Sequence, residues 1–182
     1  MDYRYVNGLN MKWSRAGLIT IGAASLLIAV GTAWLIMGIA SVRSERFNRA
    51  KAKDVLFILN WGGISTNQSF KVVASYESPR SLTGDHLDYY CIELSRFDVA
   101  EPAKSEWHDG PEKDPVLAEA LEFGVNDARQ HGDCIPSALE ANSEAMKVMF
   151  RSVVKYGRQP TAADIMLYDP KTKRLYYVTY KT

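Results

Sequence analysis

The chain has 182 residues, a formal net charge of +1 and 47% hydrophobic residues. This length accommodates one domain of ordinary size together with an additional segment. A net charge so close to zero argues against a dedicated nucleic-acid-binding protein, which usually carries a strong basic excess. Aromatic residues make up 11% of the chain, so the composition is that of a folded protein rather than a disordered one.

The additional segment is an apolar run near the N-terminus. Residues Ala16 to Val42 include no charged side chain, and as a helix they would extend roughly 40 Å at about 1.5 Å per residue. Because a bilayer core requires about 20 apolar residues, this run predicts a transmembrane helix. The hydrophobic region of a cleavable signal peptide is shorter, about 7–15 residues, which favours an uncleaved signal anchor. We therefore expect residues 16–42 to contact a lipid bilayer.

Four consecutive regions follow from that prediction. They are a short N-terminal tail (1–15), the transmembrane helix (16–42), a basic stalk (43–54) and a soluble domain (55–182). Within the apolar run, Ser25, Ala29 and Ala33 recur at every fourth position. Small residues at this spacing let two helices approach closely, which suggests a homodimer, although alanine and serine are common in such helices in any case.

Two arguments about the orientation in the membrane disagree. More Lys and Arg residues follow the apolar run than precede it, and the positive-inside rule then favours a cytoplasmic domain. Cys91 and Cys134 instead favour an oxidising compartment, in which they would form one disulfide. Two unrelated buried thiols are the alternative interpretation of the same pair. Guided by the cysteines, we expect a single-pass protein of the bacterial inner membrane whose C-terminal domain faces the periplasm.

Three strands are predicted at the start of the soluble domain. Segments rich in β-branched and aromatic residues cover Val55–Trp61, Phe70–Tyr76 and Leu87–Ser95. Gly62 and Gly63 end the first of these segments, and a long loop from Phe97 to Asp114 follows the third.

Helices and a hairpin are predicted in the second half. Asp114 followed by Pro115 is typical of a helix start, and Gly132 is expected to end that helix. A second helix is predicted from about Ser137 to Tyr156, because Met146, Met149, Phe150 and Val153 recur with helical spacing. A hairpin of two strands with a turn at residues 170–173 then follows. The order β-β-β-α-α-β-β predicts an α+β domain with a largely antiparallel sheet and two packed helices.

The segment from Thr83 to Leu94 concentrates the residue types that catalysis or metal binding would use. Alternate side chains of a strand share a face, so His86 and Asp88 would face one side while Cys91 and Glu93 face the other. A catalytic metal usually has three protein ligands, and no other histidine has a recognisable ligand spacing. We therefore expect no metal and no cofactor here. A turn leading into a buried strand is the favoured interpretation, and a hydrolase using Asp85, His86 and Asp88 is the alternative.

The sequence contains no G-x-S-x-G motif, no phosphate-binding loop, no H-E-x-x-H motif and no paired C-x-x-C motifs, which favours a protein-binding function over an enzyme. The expected partner is a protein, such as a toxin neutralised by an immunity protein or another subunit of an envelope or secretion system. Loops at Arg80–His86 and Glu101–Asp114 and the tyrosine-rich last strand are the expected contact regions. Candidate contact residues are Arg80, Asp85, His86, Tyr176, Tyr177 and Tyr180.

Overall fold

A computed structural model describes residues 27–34 and 46–182. Residues 27–34 are helical. Nowhere in these two ranges is a helix both long and apolar enough to cross a membrane. This finding overturns the predicted transmembrane helix at 16–42, the signal anchor and the inner-membrane location with a periplasmic domain. The N-terminal tail and Ser25 lie outside the described residues.

The main body is a seven-stranded antiparallel sheet with the strand order β1-β2-β3-β7-β6-β5-β4. Its strands are β1 (Arg46–Phe47), β2 (Phe70–Glu77), β3 (His86–Leu94), β4 (His108–Asp109), β5 (Lys147–Tyr156), β6 (Gln159–Asp169) and β7 (Arg174–Lys181). The last strand along the chain lies at the centre of the sheet, where it pairs with β3 on one side and β6 on the other.

Helices cover both faces of this sheet. They are α1 (Ala52–Trp61), α2 (Pro115–Arg129) and the short α3 (Ala138–Ala141), with a 3-10 helix at Ala103–Glu106. Asp114 caps α2 by accepting hydrogen bonds from the backbone amides of Val116 and Leu117, as the sequence predicts. The domain therefore has three layers, with α1 packed on one face of the sheet and α2 on the other.

Each face of the sheet has its own hydrophobic core. On the α2 face, Leu121 and Val125 pack against alternate side chains of the central strands, among them Leu87, Ile165 and Val178. The opposite core joins α1 to the intervening side chains of the same strands. Its members include Val55, Ile58, Leu59, Tyr90, Ile92, Met166 and Tyr177. Because successive side chains of a strand point to opposite faces, the same strands supply both cores.

The predicted order β-β-β-α-α-β-β with two packed helices is wrong at two segments, Val55–Trp61 and Ser137–Tyr156. The segment Val55–Trp61 belongs to a helix, since Val55, Ile58 and Leu59 are buried at helical spacing. The predicted stalk at 43–54 contains β1 and the start of α1 in its described part. Most of the segment 137–156 is strand β5, and its helical portion is limited to α3. The strands predicted near 70–76 and 87–95 and the final hairpin are confirmed.

Candidate functional site

A cleft of about 280 Å³ opens on the α1 face of the sheet, where β3 begins. Its wall is α1, its base is formed by β3 and β7, and its rim is the loop that joins β2 to β3. The lining residues are Asp54, Phe57, Ile58, Arg80, His86, Asp88, Tyr90, Tyr177 and Thr179. Three of the predicted contact residues, Arg80, His86 and Tyr177, are therefore brought together in one cleft.

Arg80 is held in place by a two-point contact with Asp88. Its Nη1 donates to Oδ1 over 3.1 Å and its Nη2 donates to Oδ2 over 2.5 Å. Asp88 is only 6% exposed, and its Oδ1 also accepts a hydrogen bond from the backbone amide of Ser78. Burial raises the pKa of Asp88, and the Arg80 guanidinium opposes that rise only in part. The pair fixes the guanidinium at the rim, because a bidentate contact restricts both side chains.

His86 is oriented by backbone and by Thr179, and not by Asp88. Its Nδ1 lies 2.9 Å from the carbonyl oxygen of Gly84. Since a carbonyl can only accept, Nδ1 carries the hydrogen and donates it. The other ring nitrogen, Nε2, lies 3.4 Å from the Thr179 hydroxyl and can accept from it or from a ligand. The histidine is thus set with its acceptor nitrogen toward the cleft.

Two buried tyrosines form the floor of the cleft. Tyr90 donates its hydroxyl to Glu77 Oε1 over 3.0 Å, and Tyr177 donates to Asp164 Oδ1 over the same distance. Burial and the neighbouring carboxylates raise the pKa of both hydroxyls, so both stay protonated in water. The two hydroxyls are therefore uncharged and held in place by hydrogen bonds.

The mouth of the cleft is aromatic. Phe57 is 52% exposed, and its ring lies 4.6 Å from the ring of Trp61. Trp61 in turn meets Tyr177 edge to face at 6.4 Å. Leu56, beside Phe57 on α1, and Leu82, in the β2–β3 loop, are also exposed. Of the exposed apolar side chains, Phe57 lines the cleft together with Arg80, and aromatic rings and arginine are residue types that protein interfaces favour.

The structure does not gather Asp85, His86 and Asp88 into one reactive group. Asp85 lies in the β2–β3 loop, where its carboxylate accepts a hydrogen bond from the Thr83 hydroxyl. This bond is the main reason that the pKa of Asp85 is lowered. Within residues 27–34 and 46–182, no three His, Cys, Asp or Glu side chains are placed to hold a metal ion.

The predicted contact tyrosines of the last strand are buried. Tyr176 and Tyr180 belong to the core beneath α2, and Tyr177 belongs to the core beneath α1. Burial raises the pKa of Tyr180 to about 12, and its hydroxyl has no hydrogen-bond partner in the part of the chain that the structure describes. Tyr176 and Tyr180 have little surface left to offer a partner, because β7 is a central strand, whereas Tyr177 forms part of the floor of the cleft.

A disulfide joins Cys91 of β3 to Cys134, which follows α2. The chain beside Cys134 is also pinned to the sheet, since Tyr89 donates its hydroxyl to the carbonyl of His131 and the His131 ring stacks on Tyr76. A Cβ atom added at Gly132 would lie 1.9 Å from the Tyr89 hydroxyl oxygen. This position therefore requires glycine for close packing against β3.

The loop Glu101–Asp114, also predicted to contact a partner, makes internal ion pairs. Glu106 accepts from Arg151 over 3.3 Å, and Asp109 accepts from Lys147 over 2.7 Å. These two acidic side chains therefore attach the loop to β5.

Phe57 is one of the cleft residues that the sequence pattern does not reveal; the others are Asp54, Ile58, Tyr90 and Thr179. The strand predicted over Val55–Trp61 gives no sign that the Phe57 side chain is exposed on a helix. Helical spacing over residues 52–61 separates the buried Ile58 from the exposed Phe57.

Comparison of the chain with protein-family models, curated proteins and solved structures finds no match.

Proposed function

We propose that this domain binds another protein, without catalysis, through the cleft between α1 and the β2–β3 loop. The observation that carries the proposal is the exposed Phe57 ring, supported from behind by Trp61, beside an arginine that Asp88 holds in place. Aromatic residues and arginine are the commonest binding hot spots at protein interfaces. A preorganised site also loses less conformational entropy when the partner binds.

The chemistry of the cleft indicates what the partner presents. An apolar side chain would pack against Phe57 and the wall of α1. Polar backbone groups of the partner would pair with the remaining donors of Arg80 and with Nε2 of His86. The tyrosine hydroxyls of the floor add no charge of their own. A toxin that this domain occludes and a subunit of a larger assembly are both partners of this kind.

The alternative function, a hydrolase, has weaker support. A histidine base is normally oriented by a hydrogen bond and faces a nucleophile on its other nitrogen. Here Asp88, the expected orienting group, has both carboxylate oxygens bonded to Arg80, and Asp85 bonds within its own loop. The cleft thus holds binding groups in place but does not couple them for proton transfer.

Site-specific photocrosslinking tests this proposal. A photoreactive amino acid is introduced at Phe57 and, as a matched control, at Phe123, which is 43% exposed on α2 on the opposite face. Position 57 should capture one protein from cells that make the domain, and position 123 should not.

The captured protein is then purified and its affinity for F57S and F123S is measured. Because a hot spot contributes about 2 kcal/mol or more, F57S should weaken binding roughly 30-fold. F123S should bind as the unsubstituted protein does. Unchanged affinity of F57S, with the fold verified by circular dichroism, would refute the cleft as the binding site.

A further inference from the structure

The outer edge of β5 is largely uncovered. The short strand β4 pairs only with Lys147 and Val148 of β5. From residue 149 to 156, no strand of the described chain lies on that side, while β6 holds the other side in an extended conformation as far as Tyr156. The backbone groups of this edge are thus arranged to pair with one more strand.

The chain along β5 and the turn that follows it carries basic residues and no acidic ones. Between residues 147 and 161 the chain carries four cations and no Asp or Glu; they are Lys147, Arg151, Lys155 and Arg158. Lys147 and Arg151 are paired with Asp109 and Glu106. No carboxylate of residues 46–182 pairs with Lys155 or Arg158, and the neighbouring Tyr156 side chain is 85% exposed. The far end of the hairpin therefore presents unneutralised positive charge beside open strand backbone.

We propose that residues 150–156 of β5 accept an extended acidic segment of a partner protein as an added strand. In this mode of recognition, main-chain hydrogen bonds supply affinity and alternate side chains supply specificity. A carboxylate on the added strand would lie across from Lys155, and one beyond its end would lie near Arg158 in the turn that follows β5, since opposite charges on facing strands attract. This site is separate from the cleft, which is built from α1, β3 and β7, and it does not rest on the function proposed for that cleft.

Charge also argues against a second copy of the chain as the occupant. In a two-fold antiparallel pair centred on Val153, Arg151 of one copy would face Lys155 of the other. Like charges on facing strands are destabilising. Irregular register at Phe150/Ser152 and again at Val154/Lys155 further restricts which strands fit. A short acidic segment is therefore the occupant that this edge favours.

The test uses the full-length protein and synthetic heptapeptides. The probe alternates glutamate with valine, and a charge-matched control has proline in place of each valine, which removes its strand-forming amides. Hydrogen exchange followed by mass spectrometry should show slower exchange over residues 149–156 with the valine peptide only. The charge-reversed variant K155E/R158E should bind the valine peptide at least about tenfold more weakly. The same variant should gain affinity for the corresponding lysine–valine peptide.

Three results would overturn the proposal. Equal binding of the proline peptide would show charge attraction without strand pairing. Unchanged exchange over residues 149–156 at saturating valine peptide would exclude this edge as the docking site. Tighter binding of a single-stranded oligonucleotide, sensitive to K155E/R158E, would assign the basic hairpin to nucleic acid instead.

Discussion

Replacing Cys91 and Cys134 together by alanine removes the covalent link between β3 and the segment that follows α2. The two residues are 43 positions apart, so the disulfide closes a loop of that length in the unfolded chain. In the chain-entropy model this restriction lowers the unfolded-state entropy by roughly 13 cal/mol/K, which corresponds to about 4 kcal/mol at about 25 °C. Loss of the buried Cys91 sulfur removes roughly a further 1 kcal/mol of packing.

Urea unfolding followed by tryptophan fluorescence measures this loss, with and without a thiol reductant. If the free energy of unfolding falls by about 2 kcal/mol per molar urea, the urea concentration at the unfolding midpoint should be roughly 2 M or more lower for the C91A/C134A variant. Reduction of the unsubstituted protein should lower its free energy of unfolding by about 4 kcal/mol, because the chain restriction is lost and both sulfurs remain. The reductant should leave the alanine variant unchanged, which controls for its other effects.

One result would refute this reasoning. Mass spectrometry establishes that both thiols are free after reduction. If the free energy of unfolding of that reduced protein then differs from the oxidised value by less than about 1 kcal/mol, the link does not restrict the unfolded chain as the model requires.

Three further substitutions have defined outcomes. G132A should lower the free energy of unfolding by about 1–3 kcal/mol, measured in urea, because the added Cβ displaces the Tyr89 hydroxyl from its buried hydrogen bond. D114A should cost about 0.5–2 kcal/mol in the same assay through loss of the α2 cap, and D114S should restore most of it. For Asp88 the folded-state pKa is raised, so the folded protein binds this proton more tightly than the unfolded chain does. The unsubstituted protein should therefore lose stability relative to D88N as the pH rises from 3.8 through the raised folded-state pKa. If the unsubstituted protein instead gained stability relative to D88N over this pH range, the ion pair with Arg80 would affect the pKa of Asp88 more than burial does.

The sequence predicts correctly the secondary-structure elements whose residue pattern lies within a short stretch of the chain. Asp114 and Pro115 start α2 because a capping carboxylate and a proline at the first helical position both satisfy local backbone geometry. The two-residue period of β3 likewise places His86 and Asp88 together, and both line the cleft.

In each of the two segments whose secondary structure is predicted wrongly, the apolar residues fit both the period of a helix and the period of a strand. In α1, Val55, Leu56, Phe57 and Ile58 form a short apolar run that a strand would also favour, and only the core beneath the helix selects Ile58 over Phe57 for burial. In β5, the irregular register near Arg151 disturbs the alternation, so that Met149, Phe150 and Val153 imitate helical spacing.

The cleft required contacts that span the chain. Phe57 and Arg80 meet β3 and β7 only after the sheet has formed, and no local pattern connects them. Arg80 could be placed in a loop from the sequence, but its pairing with Asp88 depends on how that loop folds back.

The position of β7 has a consequence for how a ribosome delivers this protein. The chain is synthesised from its N-terminus, so β2–β3 and β5–β6 emerge before the strand that joins them at the centre. Until residues 174–181 appear, the inner edges of β3 and β6 are open and can pair with neighbouring nascent chains. Both cysteines precede β7, so oxidation can tether β3 to the segment after α2 while the sheet is still in two halves. Completion of the fold therefore waits for the last strand to insert between two strands already made.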